Sequence, residues 1–248
     1  MKHFVFSTKG GVGKSLAARE IVAGPAATEY VMIEIDELNK TQSAYKSSFK
    51  QIIELNQDNI KDLLVICNEH DDLIIDVGVD NLSATMQVFV DYALFDEIDQ
   101  VIIPLFNGRT DSENALKSYA MIQPFCANIK FIFGRATYEP VESQFSIFFN
   151  NIRKINSDFS TKDYVIIYES DIYIDAQNQK RLVAEIAEDD HEYKVEALDA
   201  KRAGDMPLFQ QLMQKELLKR AAKLVMQKNI VSAHDFLVSQ RSSTNDIQ

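Results

Sequence analysis

The chain has no tryptophan, and its 248 residues include only two cysteines, Cys67 and Cys126, far apart and in unlike contexts. No CxxC pair exists, which argues against thiolate metal chemistry and for two reduced, mostly buried thiols. The four histidines, His3, His70, His191 and His234, are scattered. No HxxxH or HExxH spacing links them, so nothing reads as a zinc site. There is no G-x-S-x-G elbow for a serine nucleophile. No stretch approaches the roughly 20 apolar residues that span a bilayer, so integral membrane association is not expected. The N-terminus offers no signal peptide, because Phe4-Val5-Phe6 runs straight into a glycine loop. The expected location is the cytosol.

What is present is an ordinary globular composition, 46% hydrophobic and 25% charged. The length suits one sizeable core rather than two. We therefore expect one domain over 1–248, with a helical C-terminal part at about 205–238 and a polar tail at 239–248. Short β-rich apolar runs appear at His3–Ser7, Tyr30–Ile35, Leu73–Asp76, Val101–Leu105, Ile129–Phe133 and Tyr164–Ile167. Between them lie helical patterns at Lys14–Ala23, Thr41–Leu55, Ser83–Leu94, Ser112–Phe125 and Val141–Ile155. This alternation predicts an α/β fold, a doubly wound and mostly parallel central sheet flanked by helices. Such sheets bind ligands beyond the carboxyl ends of their strands. Pro207–Lys228 reads as one long helix, with Phe209, Met213, Leu217, Ala221 and Leu224 as the stripe expected to face the sheet.

Residues 8 to 15, Thr8-Lys9-Gly10-Gly11-Val12-Gly13-Lys14-Ser15, stand between the first strand and the first helix. Glycines let consecutive backbone N–H groups turn inward around phosphate oxygens. Lys14 is placed to reach the β- and γ-phosphates, Ser15 to hold Mg²⁺ through its hydroxyl, and the helix start offers the positive end of its dipole. Leu16 completes the expected nucleotide-binding segment. The general pattern wants glycine where Thr8 stands.

The variant KGGVGKS resembles the loop of the ParA/MinD family of deviant Walker ATPases, and the resemblance is specific over roughly residues 1 to 110. It implies a P-loop fold, ATP and Mg²⁺ as cofactors, and a homodimer that sandwiches nucleotide between its subunits. It also implies that Lys9 crosses the dimer interface to the partner's phosphates, where a cation supplied in trans would neutralise developing charge. The family's D-x-D motif is Glu34-x-Asp36 here. Alternation puts both acids on one side of the strand. Asp36 matches the acid that positions the attacking water near the metal, so Lys9, Lys14 and Asp36 form the expected catalytic set. Leu73-Ile74-Ile75-Asp76 is a Walker B pattern, with Asp76 expected at Mg²⁺ through water. The metal set is thus Ser15, Asp36 and Asp76. After Asp76 comes Val77-Gly78-Val79-Asp80, an atypical switch segment in which Gly78 could let the backbone move. Where the family often has an Asn that reads the base, this chain has Gly134-Arg135, and Arg135 is a candidate to stack on a base instead.

Net charge is −11. From Lys201 to Lys228, however, seven basic residues face two acidic ones, a local balance of +5 that leaves −16 elsewhere. Lys215, Lys219 and Lys223 recur every fourth residue, with Arg220 beside them, and in the ParA branch a basic surface near the C-terminus binds DNA nonspecifically. The expected role is a ParA-like ATPase that dimerises on ATP and positions or segregates DNA, in plasmid partition or as a conjugation accessory, with a partner protein that stimulates slow hydrolysis. A MinD-like protein- or membrane-positioning ATPase and a nucleotide-dependent adaptor with little hydrolysis are the alternatives.

Overall fold

In a computed structural model, which describes residues 1–37, 41–137 and 140–239, seven strands form one all-parallel sheet. In chain order they are β1 Lys2–Val5, β2 Val31–Ile35, β3 Gln51–Leu55, β4 Leu73–Val77, β5 Gln100–Phe106, β6 Ile129–Ala136 and β7 Tyr164–Tyr168. Their spatial order is β3-β2-β4-β1-β5-β6-β7. Strands β2 and β4 are buried along their whole length, which explains why they read as continuous apolar runs rather than alternating ones.

The helices are α1 Lys14–Leu16, α2 Leu63–Glu69, α3 Leu82–Asp91, α4 Arg109–Ile122, α5 Val141–Gln144, α6 Ser146–Ile155, α7 Ile172–Gln179, α8 Val183–Ala187, α9 Tyr193–Arg202, α10 Met206–Val225 and α11 Val231–Val238. They cover both faces of the sheet. One apolar cluster centres on Phe4, Phe89, Phe131, Phe133 and Phe148, under α3, α4 and α6. The other joins Ile21, Met32, Ile74, Ile102 and Ile132 to α7, α8, α10 and α11. Both cysteines are free and buried. Among the described residues, no helix is long and apolar enough to cross a membrane.

Two expectations are corrected. The segment predicted as a helix over Thr41–Leu55 is a short 3₁₀ turn, Gln42–Tyr45, followed by the edge strand β3. Buried Tyr45 and Phe49 mimic a helical spacing, while the β-branched pair Ile52-Ile53 pairs with Met32-Ile33 of β2. The predicted stripe of the long C-terminal helix also divides. Leu212, Ala222 and Met226 are buried, whereas Leu217 is 59% and Leu224 55% exposed and Ala221 lies in solvent. Phe209 and Met213 pack instead on the cluster around Ala197, Ala200 and Leu212, between α9 and α10. Helix α10 starts where expected, with Asp205 accepting the Leu208 N–H at 3.0 Å and Pro207 in its first turn. Of the tail expected at 239–248, residues 240–248 lie outside the described residues.

Candidate nucleotide site

Strand β1 delivers the chain to the carboxyl edge of the sheet, and the glycine loop turns there. Gly11 and Gly13 have φ of 74° and 80°, a left-handed backbone that a side chain would strain. At Gly13 there is no room either, since a Cβ would meet Cζ of Phe106 at 2.9 Å. Helix α1 begins at Lys14, and the Ala17 N–H closes on the Gly13 carbonyl at 2.8 Å. The helix widens into a π turn over Ala17–Ala23, all of it buried. Thr8, the departure from the usual glycine, ties the loop to α4. Its N–H donates to Ser118 Oγ at 3.0 Å and its hydroxyl to the Asn114 carbonyl at 3.2 Å.

Gly10, Gly11, Gly13, Lys14, Ser15 and Leu16 line a cleft of about 390 Å³, together with Glu34, Asp36 and Asp76. The structure thus brings together the residues that the sequence placed on three separate segments. Val12 is buried and lines a neighbouring cavity instead. Lys14 is buried, and its Nζ donates to the Lys9 carbonyl at 3.2 Å. Burial lowers its pKa, while the carboxylates of Asp76 and Asp36 oppose that shift.

Glu34 and Asp76 sit opposite each other in the register of β2 and β4. Gln42, itself fully buried, donates from Nε2 to Asp76 Oδ2 at 2.9 Å. The Ser15 side chain lies beside Asp76 and favours its charged form. Asp76 Oδ1 and Glu34 Oε2 are buried and accept nothing from the protein. Burial pushes both carboxyls up, since neither charge is matched by an adjacent cation strong enough to offset desolvation. Acceptor-only oxygens left over beside a Ser hydroxyl are what a hydrated divalent cation would satisfy, so Ser15 and Asp76 fit Mg²⁺. No group of three or more His, Cys, Asp or Glu among the described residues is arranged to hold a metal alone. The remaining ligands would therefore be phosphate and water, as Mg²⁺ prefers. Glu34 explains its own departure from the D-x-D pattern. Its longer side chain reaches the following segment, where Oε1 accepts the Gln42 N–H at 2.8 Å and the Thr41 hydroxyl at 3.3 Å.

Asp36 also lines the cleft, with its carboxylate lying over Gly78. A Cβ at Gly78 would stand 2.5 Å from Asp36 Oδ2. Lys9 points away from the cleft's centre to an ion pair with Asp111, in the first turn of α4. Asp111 carried no signal in the sequence, because only the fold brings it to the loop.

A second cavity of about 440 Å³ adjoins the first across Gly11, Gly13 and Leu16. Phe106, Arg135, Ile174 and Tyr173 line it. Arg135 has φ of 54°, at an irregularity in the pairing of β6 and β7. Its guanidinium lies 4.5 Å from the Phe106 ring centroid, so the ring it stacks on in this structure is the protein's own.

The basic residues of α10 line neither cavity. Lys215 lies over the Tyr193 ring at 5.6 Å, Lys219 donates to the His191 carbonyl at 2.9 Å, and Arg220 pairs with Glu216 at 2.6 Å. Lys223 is exposed on the same helix.

No family model and no curated protein sequence matches the chain. Solved structures do. Apo McdA from Cyanothece superposes with a TM-score of 0.52 at 12% identity, over 86% of this chain and 98% of that one. The MinC:MinD cell division protein complex of Aquifex aeolicus matches at 0.51 and 15% identity, over 92% and 97%. The septum site-determining protein MinD of Pyrococcus horikoshii, complexed with Mg-ADP, matches at 0.50 and 13% identity, over 90% and 98%. At such identities the likeness is one of fold, and the fold is the architecture of McdA and MinD.

Proposed function

We propose that this chain is a ParA/MinD-type ATPase, one domain over 1–248, that binds ATP with Mg²⁺ at the glycine loop and hydrolyses it slowly. The observation that carries the reading is the convergence of Lys14, Ser15, Asp36 and Asp76 on one cleft beside a left-handed glycine turn. Lys9, Gly10, Gly11, Val12, Gly13, Lys14, Ser15 and Leu16 form the nucleotide-binding segment in this reading. Loop N–H groups and Lys14 hold the phosphates, and Asp36 orients the attacking water. Ser15 and Asp76, with Asp36 close by, hold the metal, which when bound neutralises charge on the phosphate oxygens. The bound Mg-ADP of the Pyrococcus horikoshii MinD structure supports this choice of ligand. The second cavity, next to the loop, is the seat for the base and sugar.

Nucleotide-dependent dimerisation brings Lys9 to the other subunit, and the dimer grips nonspecific double-stranded DNA through Lys215, Lys219, Arg220 and Lys223. A partner protein stimulates turnover and releases the grip, and the chain works in the cytoplasm. One observation favours a second reading, protein positioning in the manner of MinD. The basic side chains Lys215, Lys219 and Arg220 already have partners within the chain, and Leu217 and Leu224 stand exposed beside them. Binding to nonspecific duplex DNA with ATP, ADP or no nucleotide, across a salt series, separates the two. The DNA reading expects tight, salt-sensitive binding with ATP only, lost in Lys215/Lys219/Lys223→Ala. No DNA binding with any nucleotide would overturn it in favour of a protein partner on α10.

A further inference from the structure

The two cation-side residues of the cleft, Ser15 and Asp76, come from different elements, and a third residue joins them. Gln42 is fully buried. Its side-chain Nε2 donates to the Ser15 carbonyl at 3.0 Å and to Asp76 Oδ2 at 2.9 Å. Its own backbone N–H is held by Glu34 Oε1 at 2.8 Å. One amide nitrogen thus spends both of its hydrogens on the start of α1 and the end of β4. Glu34, paired in register with Asp76, holds the backbone that carries this side chain.

We propose that Gln42 is a positioning residue of this site: it sets the Asp76 carboxylate relative to the Ser15 turn so that Asp76 Oδ1 is presented for the cation's water shell. The inference rests on reading the cleft as a Mg²⁺–nucleotide site. The chemistry of an amide is what suits the task. A lysine or arginine at this place would neutralise Asp76 and compete with the metal. A neutral amide ties down one carboxylate oxygen and leaves the charge intact. Glu34 completes the arrangement, because it orders the backbone at residue 42 without itself donating to Asp76. The pair Glu34–Gln42 does for Asp76 what outer-shell partners do for ligands elsewhere, which is to restrict the ligand to one orientation.

The test is the Mg²⁺ dependence of ADP binding, followed with a fluorescent ADP analogue in EDTA and across a Mg²⁺ titration. Gln42→Met keeps the length and removes the donor. It is expected to raise the Mg²⁺ concentration for half-maximal tightening about tenfold, the lower end of outer-shell effects. ADP affinity in EDTA should stay within about twofold of wild type. Glu34→Ala, which frees the backbone of Gln42, is expected to shift the same midpoint in the same direction by less, while Glu34→Gln, which keeps an acceptor oxygen, restores it. An unchanged midpoint in folded Gln42→Met overturns the proposal, as does an equal loss of affinity with and without Mg²⁺. Should Gln42→Met fail to fold, the Glu34 pair decides alone: no shift in Glu34→Ala, or no restoration in Glu34→Gln, overturns it. A wild-type protein whose ADP binding ignores Mg²⁺ would instead sink the nucleotide-site reading itself.

Discussion

Lys9 is paired with Asp111 of its own chain. The lysine side chain is 35% exposed and the aspartate 15%, so the pair sits at the rim of the loop rather than inside the cleft. A lysine expected to serve another subunit therefore begins from an intramolecular contact. Any crossing has to break that contact first.

That contact sets the first expectation. Rim pairs of this kind are worth about 0.2–1 kcal/mol, so Asp111→Asn should ease ATP-dependent dimerisation by up to about fivefold for each Lys9 that crosses. Sedimentation over a protein concentration series, in an Asp36→Ala background expected to block turnover, measures it. Weaker dimerisation in Asp111→Asn would mean that the aspartate also serves Lys9 across the interface. Lys9→Ala should uncouple nucleotide binding from dimerisation altogether.

Gly78 and Asp36 make a second pair. Gly78 has an ordinary extended backbone, φ −63°, so its lack of a side chain matters for space and not for conformation. Gly78→Ala should push the Asp36 carboxylate out of place and lower ATP turnover at least tenfold, toward the larger loss expected of Asp36→Ala, about 10²–10⁴-fold for a positioned acid–base group. Both variants should bind nucleotide normally, whereas Lys14→Ala should not bind it. Normal turnover in Gly78→Ala would mean that Asp36 tolerates displacement or plays no part in the chemistry.

The legible parts of this molecule were those written in local sequence. The glycine loop, the acids at the ends of β2 and β4 and the strand–helix alternation are each a short pattern with one structural meaning. Thr8 illustrates the limit. It reads as a departure from a motif until α4 supplies Ser118 and Asn114 as its partners. Gln42 and Asp111 are likewise silent in sequence, since each acts on residues more than 25 positions away. The edge strand Gln51–Leu55 was masked by aromatic spacing upstream. The covered face of α10 is not legible locally, because apolar residues recur on two sides of that helix and only α9 and the sheet decide which side is covered.

Burial of Asp76 yields a stability prediction. Its carboxyl is pushed up, first by desolvation, against the opposing effects of Gln42, Ser15 and Lys14. A raised folded-state pKa means that the folded protein holds the proton more tightly than the unfolded chain. The group therefore costs stability as pH rises through and above the ordinary carboxylate range. Without nucleotide and metal, Asp76→Asn should be more stable than wild type near neutral pH by about 1–3 kcal/mol, the usual cost of an unsatisfied buried group. For a chain of this size each kcal/mol is about 2–4 °C in Tm. The gain should shrink at acid pH, where wild-type Asp76 is protonated. The same variant should lose the extra Tm that Mg²⁺ adds to nucleotide. Thermal unfolding at two pH values, with and without Mg-ADP, checks both halves, and a less stable apo Asp76→Asn would show that the carboxylate is well paired as it stands.

His3 is expected to contribute to the acid sensitivity of the fold. It is fully buried on β1, both ring nitrogens included, and its pKa is lowered from 6.5 to about 3. Burial is the main cause; the N-terminal ammonium and His234 add to it, while Gln100 and Asp72 oppose it. The folded state thus keeps this ring neutral where the unfolded chain protonates it. Its contribution is fully present above pH 6.5 and is lost as pH falls toward 3. One proton of difference is worth up to roughly 1.4 kcal/mol per pH unit. Urea unfolding of wild type across that window should show a slope that His3→Leu reduces by up to this amount, with the two proteins converging in pH dependence above it. If His3→Leu kept the wild-type slope, the acid sensitivity would belong to other groups, and the ring at position 3 would have to be charged, or solvated, in the folded protein.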